Sequence, residues 1–249
     1  DPWTPRLIKN ATCRLMCYSA KSAADLTAEH IALHSDGVEF DAVSGGERAH
    51  VRLGIPGAFT VYNALGVIQA AQALGLPLEK IAAALSTAQG VKGRAEVVPT
   101  PGKDYTVLID YSHTPDSLEN ILKTVRGFCR GHVIAVFGCG GDRDPFKRPI
   151  MGGIAARLAD VAVVTSDNPR TEDPNEIIRQ IVAGMDGAKT PPTVIENRPK
   201  AIEWAMDHAE PGDVIVLCGK GHETYQEIGH EKRHLDEREV VASYLERTL

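Results

Sequence analysis

Five short apolar runs, several of them β-branched, recur along the second half of the chain: Tyr105 to Asp110, Val133 to Phe137, Val161 to Thr165, Thr193 to Glu196 and Val214 to Cys218. Runs of this length, bounded by turn residues, read as strands buried on both faces. Between them lie helix-length segments: Thr114-Pro115 to about Phe128, about Met151 to Leu158, Pro174 to Met185 and Pro199 to His208. Thr114 is a good helix cap and Pro115 a good first helical residue. Strands that alternate with helices pair in parallel through crossovers, so residues 94–249 are expected to form a doubly wound, mostly parallel α/β sheet. Tyr225 to Ile228 is expected to add an edge strand to it, and Asp236 to Arg247 a closing helix.

The earlier part has a different rhythm. Cys13 to Ser19, His30 to Ser35, Val38 to Val43 and His50 to Leu53 read as short strands, with Ser35-Asp36-Gly37 as a hairpin turn. Two helices follow, Thr60 to Leu74 with a stop at Gly75, and Leu78 to Ala88 after Pro77. The Pro- and Gly-rich stretch Gly93 to Gly102 reads as a linker and as the place for a hinge. The expected division is therefore residues 1–93, the end of an α/β domain, and residues 94–249, a complete one.

Composition narrows the class. In 249 residues, 43% hydrophobic and 24% charged is ordinary for a soluble globular protein, and a net charge of −6 offers no basic field for nucleic acid. Five scattered cysteines (Cys13, Cys17, Cys129, Cys139 and Cys218) lack zinc-like pairing and read as reduced thiols of a cytoplasmic protein. No apolar run is long enough to span a bilayer. The chain opens on Asp1-Pro2-Trp3 without an initiating methionine, so it is expected to be a piece of something longer.

Polar residues gather after four strand ends: Asp110-Tyr111-Ser112-His113-Thr114-Pro115, Gly138 to Arg148, Ser166-Asp167-Asn168-Pro169-Arg170 and Gly219-Lys220-Gly221-His222-Glu223. The carboxyl ends of parallel strands are where open α/β sheets bind ligands. A cleft holding Arg143, Arg170 and Lys220 beside Asp110, Asp167 and Glu223 suits a zwitterionic small molecule, or a nucleotide with an amine. Three other readings are weaker. Arg143 stands where a dinucleotide fingerprint needs its third glycine, Gly219-Lys220-Gly221-His222 lacks the spacing of a phosphate loop, and His222, His230 and His234 lack a well-spaced third metal ligand.

Taken together in order and spacing, Asp110 to Pro115, Gly138 to Asp144, Asp167 to Arg170 and Gly219 to Glu223 resemble the Mur ligases. Tyr62-Asn63-Ala64-Leu65 and Gly93-Arg94 extend the resemblance over everything from about Gly54 onward. It implies that residues 1–93 are the C-terminal part of a central ATP-binding domain and 94–249 a Rossmann-like amino-acid-binding domain. The branch of the family that takes meso-diaminopimelate is the nearest in pattern. It implies Arg143, Asp167, Asn168, Pro169, Arg170, Gly219 and Glu223 as positions that hold diaminopimelate. Asn63, Arg94 and Asp110 match positions that contact ATP, whereas His113 matches a family position without an assigned role.

The remaining implications concern partners and chemistry. They are ATP and Mg2+, with most magnesium ligands upstream, and UDP-N-acetylmuramoyl-L-alanyl-D-glutamate as acceptor in peptidoglycan synthesis. No catalytic residue of this chain is implied, and a cytoplasmic monomer is expected. Without a phosphate loop the chain alone is expected to be inactive, since positioning phosphates is most of phosphoryl-transfer catalysis. Departures from the family pattern are Phe146 for a common glycine, Ser112 for alanine, and Leu235-Asp236-Glu237-Arg238.

Overall fold

A computed structural model describes residues 3–188 and 190–248. They separate into two compact units, residues 3–33, 37–54 and 58–88, and residues 34–36, 55–57 and 89–248.

The first unit carries helix α1 (Thr4–Lys9), strands β1 (Tyr18–Ser19), β2 (Leu26–His34), β3 (Gly37–Ser44) and β4 (Glu47–Leu53), and helices α2 (Ala58–Ala73) and α3 (Leu78–Leu85). The strands lie in the order β1-β2-β3-β4, with β1 parallel to β2 and β3 antiparallel to β4. Alternation sends Val38, Phe40 and Ala42 of β3 to one face, where they meet Val61, Leu65 and Ile68 of α2 and Leu78, Ile81 and Ala82 of α3. Of the strand expected over Cys13 to Ser19 only the last two residues pair, since Cys13 to Cys17 offers no apolar alternation that could bury one side.

The second unit holds a sheet of six strands: β5 (Glu96–Val98), β6 (Thr106–Asp110), β7 (Val133–Phe137), β8 (Val161–Val164), β9 (Thr193–Val194) and β10 (Val214–Cys218). Helices α4 (Pro115–Arg126), α5 (Lys147–Leu158), α6 (Pro174–Val182) and α7 (Arg198–His208) alternate with them. The order is β5-β6-β10-β7-β8-β9, and every pairing from β6 to β9 is parallel. All five residues of β7 and of β10 are buried, as expected for central strands covered on both faces. Ile134, Val136, Ile215 and Leu217 face Ala201, Ile202 and Ala205 of α7. Their neighbours Val133, Ala135 and Phe137 point to the opposite face. The i, i+3, i+4, i+7 stripe of Leu118, Ile121, Leu122 and Val125 is the buried side of α4. Thr114 and Ser117 close a reciprocal capping box at its start.

Two expectations need correction. The segment Gly93 to Gly102 is not a free linker, because Glu96–Val98 pairs antiparallel with β6 as the sheet's edge strand. Arg238 also donates to both oxygens of Glu96, tying that strand down. Second, Tyr225–Ile228 does not extend the main sheet. It forms β11 of a separate antiparallel hairpin with β12 (Glu231–His234), ahead of helix α8 (Glu237–Thr248), and meets the loop after β8 through a bridge between Arg170 and Ile228 and through side-chain and backbone hydrogen bonds. Tyr225 to Glu227 are half-exposed and Ile228 is exposed, so the strand has no buried face.

Candidate functional site

Insertion of β10 between β6 and β7 sets four loops side by side at the carboxyl ends of β6, β10, β7 and β8, the expected binding edge of such a sheet. They enclose a cleft of about 530 Å³ whose walls include Arg143, Asp167, Asn168, Arg170, Gly219 and Glu223. Six of the seven positions expected to hold an amino acid thus line one cavity, and Pro169 is buried between Asn168 and Arg170.

The loop after β7 is built around a buried arginine. Arg148 is 1% exposed and grips both oxygens of Glu172 at 2.8 and 2.9 Å, with a further bond to Gln180. Glu172 also accepts the Asp142 N–H at 2.6 Å, while Asp142 takes the Thr171 hydroxyl at 2.8 Å. Hydrogen bonds from Arg148 first, and from Asp142's amide, outweigh burial and hold the Glu172 carboxyl below its usual range. The loop can lie so close because residue 141 is glycine: a Cβ there would meet Pro169 O at 1.9 Å. Arg143, by contrast, is exposed and spends one nitrogen on the neighbouring Asp142 carbonyl. Of the arginines in this stretch, Arg143 faces the cleft and Arg148 supports it.

The opposite wall is organised by Lys220, which is fully buried. Its ammonium donates to Asn168 Oδ1 at 2.9 Å and Glu223 Oε2 at 3.2 Å, and stands 3.6 Å from Asp167 Oδ1. Asn168 Nδ2 donates to Glu223 Oε2 as well, at 3.0 Å. Gly219, at φ 114°, lets the chain pass where a Cβ would strike Asp167 Oδ2 at 2.5 Å. The two acids are thus held together by one lysine, and the cluster of Asp167, Glu223 and Lys220 carries a net single negative charge suited to an ammonium.

Arg170 sits at φ 50°, with Nε bonded to Glu227 Oε2 at 3.0 Å and Nη1 to Gly141 O at 2.8 Å. Among the described residues its Nη2 has no partner. Arg170 therefore keeps both N–H of Nη2 for an incoming carboxylate.

The positions expected to contact nucleotide are placed differently. Asp110 is buried and spends one oxygen on the Ala95 N–H at 2.8 Å and the other on the Ser112 hydroxyl, so its carboxylate staples the start of the unit to the rim. Arg94 is exposed and lies over the Tyr111 ring, 5.4 Å from its centroid. Asn63 is exposed on α2 in the other unit, outside this cleft's walls. His113 lines the cleft and donates from Nδ1 to the Tyr111 carbonyl at 2.8 Å, which leaves Nε2 as its free nitrogen. Burial, then the neighbouring Glu223 carboxylate, pushes the Tyr111 phenol up. Burial pushes the Cys139 thiol up to about 12, so the cysteine of the glycine loop is no nucleophile.

Sequence reasoning did not single out Glu172, Gln226 or Glu227, which hold the cleft residues without lining it. Nothing in their local sequence marks them, since each acts on a partner many residues away. Among the described residues no group of three or more His, Cys, Asp or Glu is arranged to hold a metal ion. The cleft acids turn instead to Lys220 and Asn168.

A parallel sheet with a mixed-charge cleft across four carboxyl ends is the ligand-binding arrangement of an open α/β domain. Residues 93–221 match the Mur ligase, glutamate ligase domain, and residues 1–71 the Mur ligase middle domain. The chain belongs to the Mur ligase family. It is 48% identical over 246 residues to UDP-N-acetylmuramoyl-L-alanyl-D-glutamate–2,6-diaminopimelate ligase 1 of Clostridium acetobutylicum, covering 98% of this chain and 51% of the relative. A diaminopimelate ligase of Synechococcus elongatus is also 48% identical, over 225 residues, 90% of this chain and 45% of the relative. A solved UDP-N-acetylmuramoyl-L-alanyl-D-glutamate–2,6-diaminopimelate ligase superposes with a TM-score of 0.80 at 33% identity, covering 99% of this chain and 51% of that one. MurF from Acinetobacter baumannii shares the fold, with a TM-score of 0.66 at 19% identity over 98% of this chain and 50% of its own. The chain spans about half the length of the curated relatives it matches.

Proposed function

We propose that this chain is the amino-acid-binding part of an ATP-dependent ligase that joins meso-diaminopimelate to UDP-N-acetylmuramoyl-L-alanyl-D-glutamate in peptidoglycan synthesis. The observation that carries the reading is the division of the cleft. Arg143 and Arg170 present cationic nitrogens, while Asp167 and Glu223, knitted by Lys220, present acids. Diaminopimelate has two carboxylates and two amines, one pair at each end, and so matches both walls. In this assignment residues 1–93 complete the central domain of a longer enzyme and residues 94–249 bind the amino acid. Arg143, Asp167, Asn168, Pro169, Arg170, Gly219 and Glu223 form the diaminopimelate site, and Asn63, Arg94 and Asp110 serve ATP.

In the reaction, the acceptor's glutamate side-chain carboxylate takes the γ-phosphoryl group of ATP, giving an acyl phosphate and releasing ADP. The diaminopimelate amine attacks its carbonyl carbon, forming the amide and expelling phosphate. Magnesium, when bound, neutralises phosphate charge. The residues of this chain orient the nucleophile: the arginines fix the carboxylates, and the acids hold one amine while the other is presented. Such alignment supplies roughly 7–11 kcal/mol of a bimolecular barrier. No helix of the described residues is long and apolar enough to cross a membrane. A second reading, a stand-alone amino-acid-binding module, is favoured by one fact: every residue lining the cleft belongs to the second unit.

Calorimetric titration tests the site. Lysine is diaminopimelate without its distal carboxylate, and a site built on buried polar groups can reject such an analogue by up to about 10⁴–10⁵. The chain is expected to bind meso-diaminopimelate in preference to lysine, and Arg170→Ala to abolish that preference. Equal binding of the two by the unsubstituted chain would sink the assignment.

A further inference from the structure

The hairpin β11–β12 stands outside the main sheet, yet its first strand is bonded along the whole length of the loop from Ser166 to Arg170. Gln226 Nε2 donates to Asp167 O at 2.7 Å and to Ser166 Oγ at 3.3 Å. The Glu227 N–H donates to Asn168 Oδ1 at 2.9 Å. The Arg170 N–H donates to Glu227 O, and the Gly229 N–H returns a bond to Arg170 O at 2.7 Å. Last, Glu227 Oε2 accepts from Arg170 Nε. Glu227 therefore touches this loop through its amide, its carbonyl and its carboxylate.

Arg170 needs such support. Its backbone is in the left-handed region, which side-chain-bearing residues seldom occupy unless their surroundings impose it. A free guanidinium would also sweep many rotamers. Glu227 on one side and Gly141 O on the other restrict it to one, aimed so that Nη2 is the nitrogen left over. Glu227 itself lies behind Arg170 and is not part of the cleft wall.

We propose that Glu227 is the positioning residue for selectivity at this site, acting through Arg170. It fixes the guanidinium so that its unpartnered Nη2 meets the distal carboxylate of a ligand bearing an amino-acid group at both ends. This rests on the diaminopimelate reading above. Its carboxylate sets direction rather than contributing a ligand contact, so its removal costs recognition of that distal carboxylate and leaves recognition of the rest of the ligand unchanged.

Calorimetry with meso-diaminopimelate and lysine on the full chain tests it, using Glu227→Ala and Glu227→Gln. Glutamine keeps an oxygen that accepts from Arg170 Nε. Losing the charge-assisted bond in Glu227→Ala is expected to weaken diaminopimelate binding about tenfold while lysine changes by less than about twofold. Glu227→Gln is expected to recover diaminopimelate binding to within about threefold of the unsubstituted chain. The glutamine variant also serves if the alanine variant does not fold, because a Gln variant that loses diaminopimelate and lysine affinity in parallel marks a merely structural role. Undiminished diaminopimelate binding in Glu227→Ala, or a Gln variant no better than Ala, likewise overturns the proposal. Failure of the unsubstituted chain to bind diaminopimelate overturns the site reading itself and is distinguishable from all of these.

Discussion

Each unit of the molecule carries a knot of charges, and the two knots behave differently. On the outer face of the first unit's sheet, Asp41 accepts from His30 at 2.9 Å, His50 at 3.1 Å and Arg48 at 3.0 Å, with Glu29 closing on Arg48. In the second unit, Lys220 gathers Asp167, Asn168 and Glu223. The numbers of groups are similar. What separates the knots is water: His30 is 75% exposed, whereas Lys220 is 0% exposed. Solvent screens the first set, and its side chains give up entropy to hold one geometry. The second has exchanged hydration for protein partners, so no member can be removed without stranding another. The same charge density is surface decoration in one unit and architecture in the other.

The largest effect is expected of Lys220→Met, which keeps the volume and leaves two carboxylates facing each other without a cation. Denaturant unfolding is expected to show a loss of about 3–5 kcal/mol, the range for stripping one partner from a buried pair. A loss no greater than that of an exposed substitution would mean that the cleft hydrates and the distinction fails. Next in size is Gly219→Ala, which forces a side chain into the left-handed region and toward Asp167 Oδ2. It is expected to cost about 1–3 kcal/mol by the same measurement and to weaken diaminopimelate binding in parallel. Affinity retained at lowered stability would place Asp167 outside the ligand's reach.

The smallest effect belongs to Asp41. Hydrogen bonds from His30 first, then His50 and Arg48, hold its carboxyl down to about 2. A carboxyl depressed in the folded state stabilises the fold above its unfolded value and loses that contribution as pH falls through the folded one. The contribution of Asp41 is thus whole above about pH 4 and gone near pH 2. Asp41→Asn is expected to shift the urea midpoint at pH 7 only slightly and to flatten its pH dependence within that window. A large loss at pH 7 would show that the exposed knot carries more of the fold than its hydration implies.

The parallel strands were legible because runs such as Val-Ile-Ala-Val-Phe are apolar enough to be buried on both faces wherever they lie. The clustering of polar residues at strand ends likewise announced the cleft. Two kinds of information were hidden. Strand β5 lay among prolines and glycines whose composition signals a turn, and its pairing comes from β6 rather than from its own residues. The roles of Arg143 and Arg148 were equally obscure. They sit five residues apart, Arg143 in the loop after β7 and Arg148 in the first turn of α5, and which is buried depends on Glu172 and Gln180, far along the chain. Long-range partners decided both, and no local pattern encodes them.

Strand β5 has a further consequence, for how this molecule meets its own copies. A parallel sheet ends in two rows of unpaired amides and carbonyls that any passing extended chain could join. Here one end of the sheet is the three-residue β5, followed at once by Pro99 and then Pro101, and the other is the two-residue β9, preceded by Pro191 and Pro192. Proline has no amide hydrogen to offer a ladder. Both ends are therefore too short and too poor in donors to template another strand. The α/β unit can keep strongly aggregation-prone sequences such as Val-Ile-Val-Leu at its centre and remain dispersed.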